Sequence, residues 1–195
     1  MFNSLIVYAK SLTRLLPVQT FQVSGHEIVI SVSKNHLLAT LTFLHHHNNG
    51  NFQMLTSISC VDYPEREERF EIVYDLLNLR LNSRLRIKTH TDEINPLPSV
   101  VSLFPSANWW EREIWDLFGV FFSNHPDLRR ILTDYGFEGH PLRKDFPLSG
   151  YFELRYDEDQ RVVVCEAIEL SQEFRSFNFH IPWSQNGKIE SKFHN

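Results

Sequence analysis

Residues 111–145 concentrate side chains whose types and spacing could do acid–base or ionic chemistry. A histidine beside a carboxylate can transfer protons, and an arginine fork can bind a carboxylate in a defined geometry. An independent hydrolase could use His125 or His140, but the sequence contains neither H-E-x-x-H nor G-x-S-x-G. Histidine–carboxylate pairs also occur often by chance, so these residues by themselves give a hydrolase little support. The candidate residues of the stretch are Glu111, Arg112, Glu113, Asp116, His125, Arg129, Arg130, His140, Arg143, Lys144 and Asp145.

Three consecutive histidines, His45 to His47, are candidates for metal binding. They follow an apolar helical stripe, and neighbouring residues on a helix point about 100° apart. Three adjacent rings therefore cannot easily converge on one ion. We predict instead a solvated helix end, where protonated histidines interact favourably with the helix dipole.

The chain has two cysteines, Cys60 and Cys165, far apart in sequence. This usage argues against a disulfide framework and against a zinc site. An iron–sulfur cluster normally needs four thiolates, which the chain cannot supply. We interpret both cysteines as small, buried apolar side chains.

The bulk composition excludes several classes of protein. With 195 residues, 42% of them hydrophobic, the chain can bury a core without covalent staples. Its net charge of −5 differs from the strongly basic balance expected of a nucleic-acid-binding surface. No stretch approaches about 18 consecutive apolar residues, so we predict no transmembrane helix.

The N-terminal residues allow two interpretations. Lys10 and Arg14, with no acid before Glu27, faintly resemble a mitochondrial transit peptide. Two basic residues are few for such a presequence, and the apolar residues recur at helical spacing. We therefore favour a first helix that Pro17 ends, with a stripe of Phe2, Leu5, Ala9, Leu12 and Leu16.

Residues 1–118 are predicted to form an α+β domain with a mixed sheet of about four or five strands and helices on one side. Strands at 21–23 and 28–32 flank a turn, and a helix capped by Ser33 follows them. Further strands are predicted at 52–61, 70–76 and 84–88. The last two would pair antiparallel, since their polar faces carry opposite charges. Residues 65–69, a charged run between the strands at 52–61 and 70–76, are interpreted as a solvated loop.

Residues 108–119 predict one more helix, which Gly119 ends as its C′ residue. Its apolar stripe consists of Trp110, Ile114, Leu117 and Phe118. The spacing by itself favours an ordinary amphipathic helix with a solvated charged face. On that face Arg112 and Asp116 are four residues apart and can pair.

Residues 119–195 are predicted to form an extended segment rich in proline and glycine. Such a backbone cannot hold long helices or central strands, yet it carries many large apolar residues. These residues need burial against the chain's own sheet or against a partner protein. A hairpin fits residues 152–165, and a loose tail is predicted from Pro182.

Two motifs within Val100 to Tyr151 resemble the 30 kDa subunit family of respiratory complex I. The first is Glu111-Arg-Glu, two residues, Asp116-Leu-Phe, six residues, His125, three residues, Arg129, one residue and Ile131-Leu132. The second is Gly139-His-Pro-Leu-Arg-Lys-Asp-Phe-Pro-Leu-Ser-Gly150. The match is closest to the mitochondrial form of the family. Weaker similarity covers residues 60–64, 70–77 and 173–175, whereas residues 1–50 depart most from the family.

The resemblance implies a cofactor-free subunit in the peripheral arm of an NADH:ubiquinone oxidoreductase that translocates protons. The family has an α+β domain and a C-terminal segment that packs on neighbouring subunits of the quinone-reducing module. FMN and iron–sulfur clusters are expected in partner subunits, and no cofactor or metal in this chain. The expected location is the matrix side of the mitochondrial inner membrane. The chain would belong to an enzyme without being catalytic by itself.

Three alternatives stay open beside this interpretation. A bacterial or plastid complex I, or a related membrane-bound hydrogenase, shares the subunit family. A free-standing adaptor is the second alternative, and the independent hydrolase is the third. Neither nucleic acid nor a direct membrane span is expected in any of them.

Overall fold

Five stretches of alternating apolar residues form one mixed β-sheet in the computed structural model, which describes residues 2–24 and 27–177. The strands lie in the order β1-β2-β5-β4-β3. In this sheet β2 and β5 are parallel neighbours, and the other neighbours are antiparallel. The predicted mixed sheet is confirmed, with these strands: β1 (Val18–Ser24), β2 (Glu27–Val32), β3 (Met54–Asp62), β4 (Phe70–Asn78) and β5 (Ser83–Thr91).

Three α-helices cover one face of this sheet. Alternate strand residues such as Ile30, Tyr74 and Ile87 form one buried cluster with Leu41 and Ile114 of two helices. Because side chains alternate between the faces of a strand, the cluster uses one face, and the helices share it. The predicted arrangement is confirmed, with these helices: α1 (Phe2–Leu15), α2 (Leu37–His46) and α3 (Ala107–Phe118).

The opposite face of the sheet carries the predicted charge pairs between β4 and β5. Arg86 Nε donates to Asp75 Oδ1 at 2.7 Å, and Lys88 Nζ donates to Glu71 Oε1 at 2.7 Å. The strands are antiparallel neighbours in register, with each acid near its base. The antiparallel pairing of β4 with β5, predicted from the opposite charges on the two strands, is therefore confirmed.

Two local predictions around α2 need correction: the cap by Ser33 is wrong, and the solvated helix end is wrong for His45 but not for His46, which is exposed at the last position of the helix. Ser33 precedes a short 3-10 turn, Lys34–His36, and its hydroxyl makes no capping hydrogen bond. His45 is half-buried, with its ring centroid 5.2 Å from that of Phe104. Burial and the neighbouring His46 both lower the pKa of His45. The neutral ring is therefore favoured, and packing against Phe104 replaces the predicted solvated, protonated position.

The chain divides by its internal contacts into two units, Met1–Gly150 and Tyr151–Asn195. The first unit also contains two short strands, one before α3 and one after it in sequence, which pair with each other in parallel. They are β6 (Leu97–Pro98) and β7 (Phe122–Ser123). The second unit contains an antiparallel hairpin, β8 (Phe152–Asp157) and β9 (Val162–Ala167). The packing of residues 119–195 on partners stays a prediction, and the tail predicted from Pro182 lies outside the described residues.

Candidate subunit-interface site

Helix α3 buries three charged side chains, Glu111, Arg112 and Asp116. Its apolar stripe packs on the core as predicted. The prediction of a solvated charged face is wrong, because the segments that precede and follow the helix in sequence cover that face. Residues 99–100 bind Glu111, and residues 129–133 bind Arg112 and Asp116.

Glu111 holds the segment that precedes the helix. The Ser99 hydroxyl donates to Glu111 Oε2 at 2.6 Å, and the Val100 N–H donates to Oε1 at 2.7 Å. Burial raises the pKa of this carboxyl to about 7, although the two hydrogen bonds act in the opposite direction. The side chain therefore exchanges a proton near neutral pH while it stays fully enclosed.

His125 closes over the same carboxyl. Its Nε2 lies 3.8 Å from Glu111 Oε2 and 3.2 Å from the carbonyl oxygen of Asn108. The Asp127 N–H donates to His125 Nδ1 at 3.1 Å. Because Nδ1 accepts, these hydrogen bonds assign the proton to Nε2, which donates to Asn108. Both ring nitrogens are engaged, so the ring fixes its segment to α3.

Asp116 binds the backbone of the segment that follows. Its Oδ2 accepts N–H groups from Ile131 at 3.1 Å, Leu132 at 2.7 Å and Thr133 at 3.0 Å. The Thr133 hydroxyl donates to Oδ1 at 2.6 Å, and Arg130 Nη1 lies 3.5 Å from the same oxygen. Burial by itself would raise the pKa of Asp116, but these hydrogen bonds bring it below the usual value. The carboxylate is therefore charged and fully buried.

Arg112 makes contacts other than the pair with Asp116 that its helical spacing allows. Its Cζ lies 4.9 Å from the Trp109 ring centroid, and its Nε donates to the Arg129 carbonyl at 3.4 Å. The oxygens of Asp116 are occupied by residues 130–133. A tertiary set of donors thus replaces the local pair, and the prediction of that pair is wrong.

Arg69 joins the sheet to the segment after α3. Its Nε and Nη2 donate to the two oxygens of Asp62 at 2.6 and 2.8 Å, and its Nη1 donates to Glu93 at 2.7 Å. Nη2 also donates to Asp145 at 2.8 Å, and the Lys144 N–H donates to Asp62 at 2.8 Å. The hydrogen bond from Arg69 is the main reason that the pKa of Asp62 is lowered. The predicted solvated loop at 65–69 is therefore wrong for Arg69.

Arg143 and His140 meet the C-terminal end of α3 at Gly119. Arg143 Nε donates to the Phe118 carbonyl at 2.6 Å, and His140 Nδ1 lies 2.9 Å from the Asp116 carbonyl oxygen. Gly119 has φ +78°, as predicted for a C′ residue. A Cβ there would lie 2.5 Å from both Arg143 Nη2 and His140 Nε2. The close approach of both side chains therefore needs glycine, as does the left-handed backbone.

The remaining predicted residues lie nearer the surface. Arg130 Nη1 donates to the Gly139 carbonyl at 3.0 Å, in addition to its contact with Asp116. The exposed Arg129 pairs with Asp127 at 3.0 Å. Lys144 Nζ lies 5.6 Å from the Tyr63 ring centroid, and Glu113 is half-buried.

Five residues that are central to these contacts were not among the predicted candidates: Asp62, Arg69, Glu93, Ser99 and Thr133. No helical or strand period connects them to their partners, since the contact from Lys144 to Asp62 spans 82 residues of sequence. The weaker family similarity at residues 60–64 includes Asp62 and was the one available signal for it.

The arrangement binds chain segments to one another. The described part of the chain contains no group of three histidine, cysteine, aspartate or glutamate side chains that could hold a metal ion. A cavity of about 120 Å³ between strand residues such as Glu27, Asp75 and Arg86 includes none of the candidate residues. Charged side chains of the motif thus act on backbone groups and on each other.

The raised pKa of Glu111 is expected to make the stability of the chain depend on pH. A folded-state pKa of about 7 against the ordinary 4.5 favours folding fully below pH 4.5, and this contribution is lost as pH rises through 7. The difference corresponds to about 3 kcal/mol at most. Glu111→Gln keeps an acceptor for Val100 and a donor for Ser99 but has no carboxyl to titrate, so the stability of this variant should lack the Glu111 contribution to the pH dependence. Urea unfolding at pH 5 and pH 8 checks this, and equal pH profiles for the two proteins would contradict it.

The fold and the site define an α+β packing module that holds an irregular segment by buried charges. Over residues 30–152 the chain matches the family described as "Respiratory-chain NADH dehydrogenase, 30 Kd subunit", and it belongs to that family. The family resemblance carried by the two motifs is confirmed.

Two curated relatives illustrate the similarity. The chain is 59% identical over 186 residues to NADH dehydrogenase (ubiquinone) iron-sulfur protein 3 of Marchantia polymorpha, covering 94% of this chain and 95% of the relative. It is 59% identical over 162 residues to NADH-ubiquinone oxidoreductase subunit 9 of Reclinomonas americana, covering 83% and 79%.

A solved structure shares the fold. It belongs to the membrane-bound sulfane sulfur reductase (MBS), described as an archaeal respiratory membrane complex. The TM-score is 0.64 at 26% sequence identity, and the match covers 75% of this chain and 86% of that chain.

The words "iron-sulfur protein" in one relative's name raise the question of a cluster, and the residues of this chain do not fit one. A cluster normally needs four thiolates, and Cys60 and Cys165 are the only cysteines of the sequence. Cys60 is half-buried in β3, where burial above all raises the pKa of its thiol and disfavours the thiolate. Cys165 is exposed in β9, so the prediction that both cysteines are buried is wrong for it.

Within residues 2–24 and 27–177, no helix has the length and apolar character that crossing a membrane requires.

Proposed function

We propose that this chain is a packing subunit of the peripheral arm of complex I, without catalytic activity of its own. FMN and the iron–sulfur clusters would be held by partner subunits, and this chain would position its neighbours near the quinone-reducing end. NADH oxidation and ubiquinone reduction then belong to the assembled enzyme. The proposed location is the matrix side of the mitochondrial inner membrane.

One observation carries the proposal: the family-motif residues anchor residues 125–146, which we call the anchored segment. Asp116 binds its backbone at 131–133, His125 and Arg143 attach it to α3, and Lys144 and Asp145 attach it to Asp62 and Arg69. These side chains are thereby committed to holding the chain in shape, which leaves little of the motif for binding a substrate.

The anchored segment and the residues just after it leave large apolar side chains exposed. Leu132 is 61% exposed, Leu148 is 79% exposed, and Tyr135 is fully exposed. Leu142 is also exposed, although its backbone N–H donates to the Leu117 carbonyl at 3.0 Å. A rigidly held backbone with exposed apolar side chains suits burial by a partner protein. The segment is already ordered in the free chain, so binding loses little further conformational entropy.

Replacing Arg143 by alanine is expected to reduce the amount of assembled complex severalfold without changing the affinity of the remaining complex for NADH. The substitution removes the attachments to Phe118 and Glu93 and so loosens the anchored segment. Arg112→Ala, which removes the contact to the Arg129 carbonyl, should act in the same direction. Quantitative native gels and NADH titration of the purified complex measure both quantities.

Arg80→Ala is the matched control for the arginine variants. Arg80 is exposed in the loop between β4 and β5, at the end of β4 opposite to Arg69. It should leave the amount of complex at the wild-type level. Normal amounts of assembled complex in both Arg143→Ala and Arg112→Ala would overturn the proposed function.

A second candidate is a subunit of a related membrane-bound respiratory complex other than complex I. The structural similarity to a chain of the archaeal sulfane sulfur reductase favours it. Identification of the proteins that co-migrate with the endogenous chain on a native gel separates the two candidates, since the other subunits of the two assemblies differ.

A further inference from the structure

His125 Nε2 carries one proton and has two acceptors near it. It lies 3.2 Å from the Asn108 carbonyl oxygen and 3.8 Å from Glu111 Oε2. Only the shorter of these two distances is a hydrogen bond, because a separation of 3.8 Å is too long for one. The imidazole and the carboxyl are both enclosed by the chain, with side-chain exposures of 0%. Bulk water therefore does not compete, and the ring chooses between two acceptors of the protein.

Glu111 Oε2 can accept this proton in only one of its two ionisation states. As a neutral acid, the carboxyl donates its own O–H to the Ser99 oxygen, 2.6 Å away, which reverses the direction of that hydrogen bond. As a carboxylate, Oε2 accepts from the Ser99 hydroxyl and keeps a lone pair for a second donor. Oε1 accepts the Val100 N–H in both states. A hydrogen bond to the charged form is about twice as strong as one to a neutral oxygen.

Among the residues that the structure describes, the groups around Glu111 give its carboxylate no ion-pair partner. Tyr74 faces it from β4, and burial above all, with the charge of Glu111 in addition, raises the pKa of this buried phenol. Cys60 of β3 lies near Tyr74, and burial is the main reason that the pKa of its thiol is raised. The guanidinium of Arg112, the next residue of α3, lies over the Trp109 ring. The imidazole N–H is therefore the second donor that a charged carboxyl can recruit.

The Asn108 carbonyl does not depend on the ring for a donor. Asn108 lies in the first turn of α3, where its carbonyl also accepts the helical N–H of residue 112. It therefore stays satisfied when the ring leaves it. On the other side of the ring, the Asp127 N–H is bound to Nδ1 at 3.1 Å. Donation from Nε2 to a carboxylate raises the basicity of the ring and so makes Nδ1 a stronger acceptor for this N–H.

We propose that His125 is a pH-dependent switch between α3 and the start of the anchored segment. Below neutral pH its Nε2–H is bound to the Asn108 carbonyl, and above neutral pH it is bound to Glu111 Oε2. The proton that is lost passes from Glu111 to solvent, and the imidazole keeps one proton throughout. Nε2 moves about 1 Å, from 3.8 Å to hydrogen-bonding distance of Oε2. The switch is a property of the folded chain and does not depend on the proposed function.

The switch acts in the opposite direction to the effect of Glu111 on global stability. Burial raises the pKa of Glu111 to about 7, so the whole chain becomes less stable as pH rises through that value. The new hydrogen bond from the ring offsets part of this loss, and it is made at residues 125–127. Local opening of these residues should therefore become rarer over the pH range in which global unfolding becomes easier.

Amide hydrogen exchange of the full chain at pH 6 and pH 8, corrected for the intrinsic rates, measures the switch. Protection of the Asp127 amide should rise about fivefold from pH 6 to pH 8, as expected when a neutral acceptor is exchanged for a charged one. The amides of residues 131–133 are the internal reference, because hydrogen bonds keep the pKa of Asp116 below its usual value and the carboxylate is charged at both pH values. Their protection should change less than about twofold.

Glu111→Gln and Glu113→Gln form a matched pair of variants. Glu111→Gln keeps the contacts to Ser99 and Val100 but cannot acquire a charge, so the ring should stay on Asn108 and the rise in protection should be lost. Glu113 is a half-buried carboxyl on the same helix, and its glutamine variant should keep the wild-type rise. A rise that persists in Glu111→Gln, or no rise in the wild type, would overturn the proposal.

Nuclear magnetic resonance of the wild-type chain tests the switch without any variant, and so does not depend on the folding of Glu111→Gln. The Glu111 carboxyl carbon and His125 Nε2 should titrate with one midpoint near pH 7. The proton on Nε2 should move downfield as its acceptor becomes charged, while Nδ1 keeps the shift of an unprotonated nitrogen. Different midpoints for the two groups, or a doubly protonated ring at pH 6, would reject the switch.

Discussion

Replacing Asp116 by alanine is expected to lower the free energy of unfolding of the full chain by about 3–4 kcal/mol. The carboxylate is fully buried, and it accepts three backbone N–H groups and the Thr133 hydroxyl. Alanine would leave those donors without their acceptor and Arg130 without its buried charge partner. Urea unfolding measures the loss, and amide hydrogen exchange at residues 131–133 should accelerate with it.

Asp116→Asn distinguishes the contributions of the two carboxylate oxygens to this stability. An amide oxygen can replace Oδ2 towards the three N–H groups, but the amide nitrogen then faces Arg130 in place of Oδ1. The expected loss is about 1–2 kcal/mol, roughly half that of alanine. Asp127→Ala is the matched control, because Asp127 is exposed and pairs with an exposed arginine, so its loss should be below about 0.5 kcal/mol. Equal losses for Asp116→Ala and Asp127→Ala would contradict the assigned role of Asp116.

Removing the Arg69 side chain is expected to destabilise the chain by about 3–5 kcal/mol. Arg69→Ala leaves Asp62 buried without its bidentate partner and releases Asp145, an anchor of the anchored segment. Arg69→Lys keeps the charge but not the fork, so it should recover only part of the loss. Thermal and urea unfolding give the energies, and exchange of the Lys144 amide, which is bound to Asp62, reports the local release.

The same substitution has a distinct signature at low pH. The hydrogen bond from Arg69 lowers the pKa of Asp62 below its ordinary 3.8, so the pair stabilises the fold above that pH. As pH falls through the lowered pKa, Asp62 becomes protonated and the contribution is lost. The stability difference between wild type and Arg69→Ala should therefore shrink below about pH 3.8. Arg66→Ala, which removes a half-exposed pair with Glu71, should cost less than about 1 kcal/mol. If the stability difference between wild type and Arg69→Ala did not depend on pH, Arg69 would act through packing alone.

Local sequence patterns predicted the elements of this fold because their cause is local. Alternating apolar residues mark β4 and β5, and opposite charges on those strands identify their antiparallel pairing. Gly119 ends α3 as expected, since a left-handed residue after a helix favours glycine. The order of the strands was not predictable in this way, because the parallel pairing of β2 with β5 joins strands that are distant in sequence.

Local patterns failed where a distant segment supplies a better partner. Helical spacing offered Arg112 to Asp116, but three consecutive backbone N–H groups and a hydroxyl satisfy that carboxylate from 15 to 17 residues away. The charged run before β4 resembled a solvated loop, yet its last residue, Arg69, binds three carboxylates. Burial away from water strengthens such contacts, and the helical or strand spacing of a sequence does not reveal which side chains will be buried in this way.

By itself the sequence determined the α+β elements, the family and the list of residues in its motif, because periodicity and fixed spacing are properties of neighbouring residues. The tertiary structure decided what those residues do. It placed Glu111 and Asp116 in the interior, where burial raises the pKa of Glu111 and hydrogen bonds from residues 131–133 lower the pKa of Asp116. It also placed His125 between two hydrogen bonds. The reason is that burial and hydrogen-bond partners depend on segments far apart along the chain. Only their meeting in space made these acid–base side chains the anchors of residues 125–146.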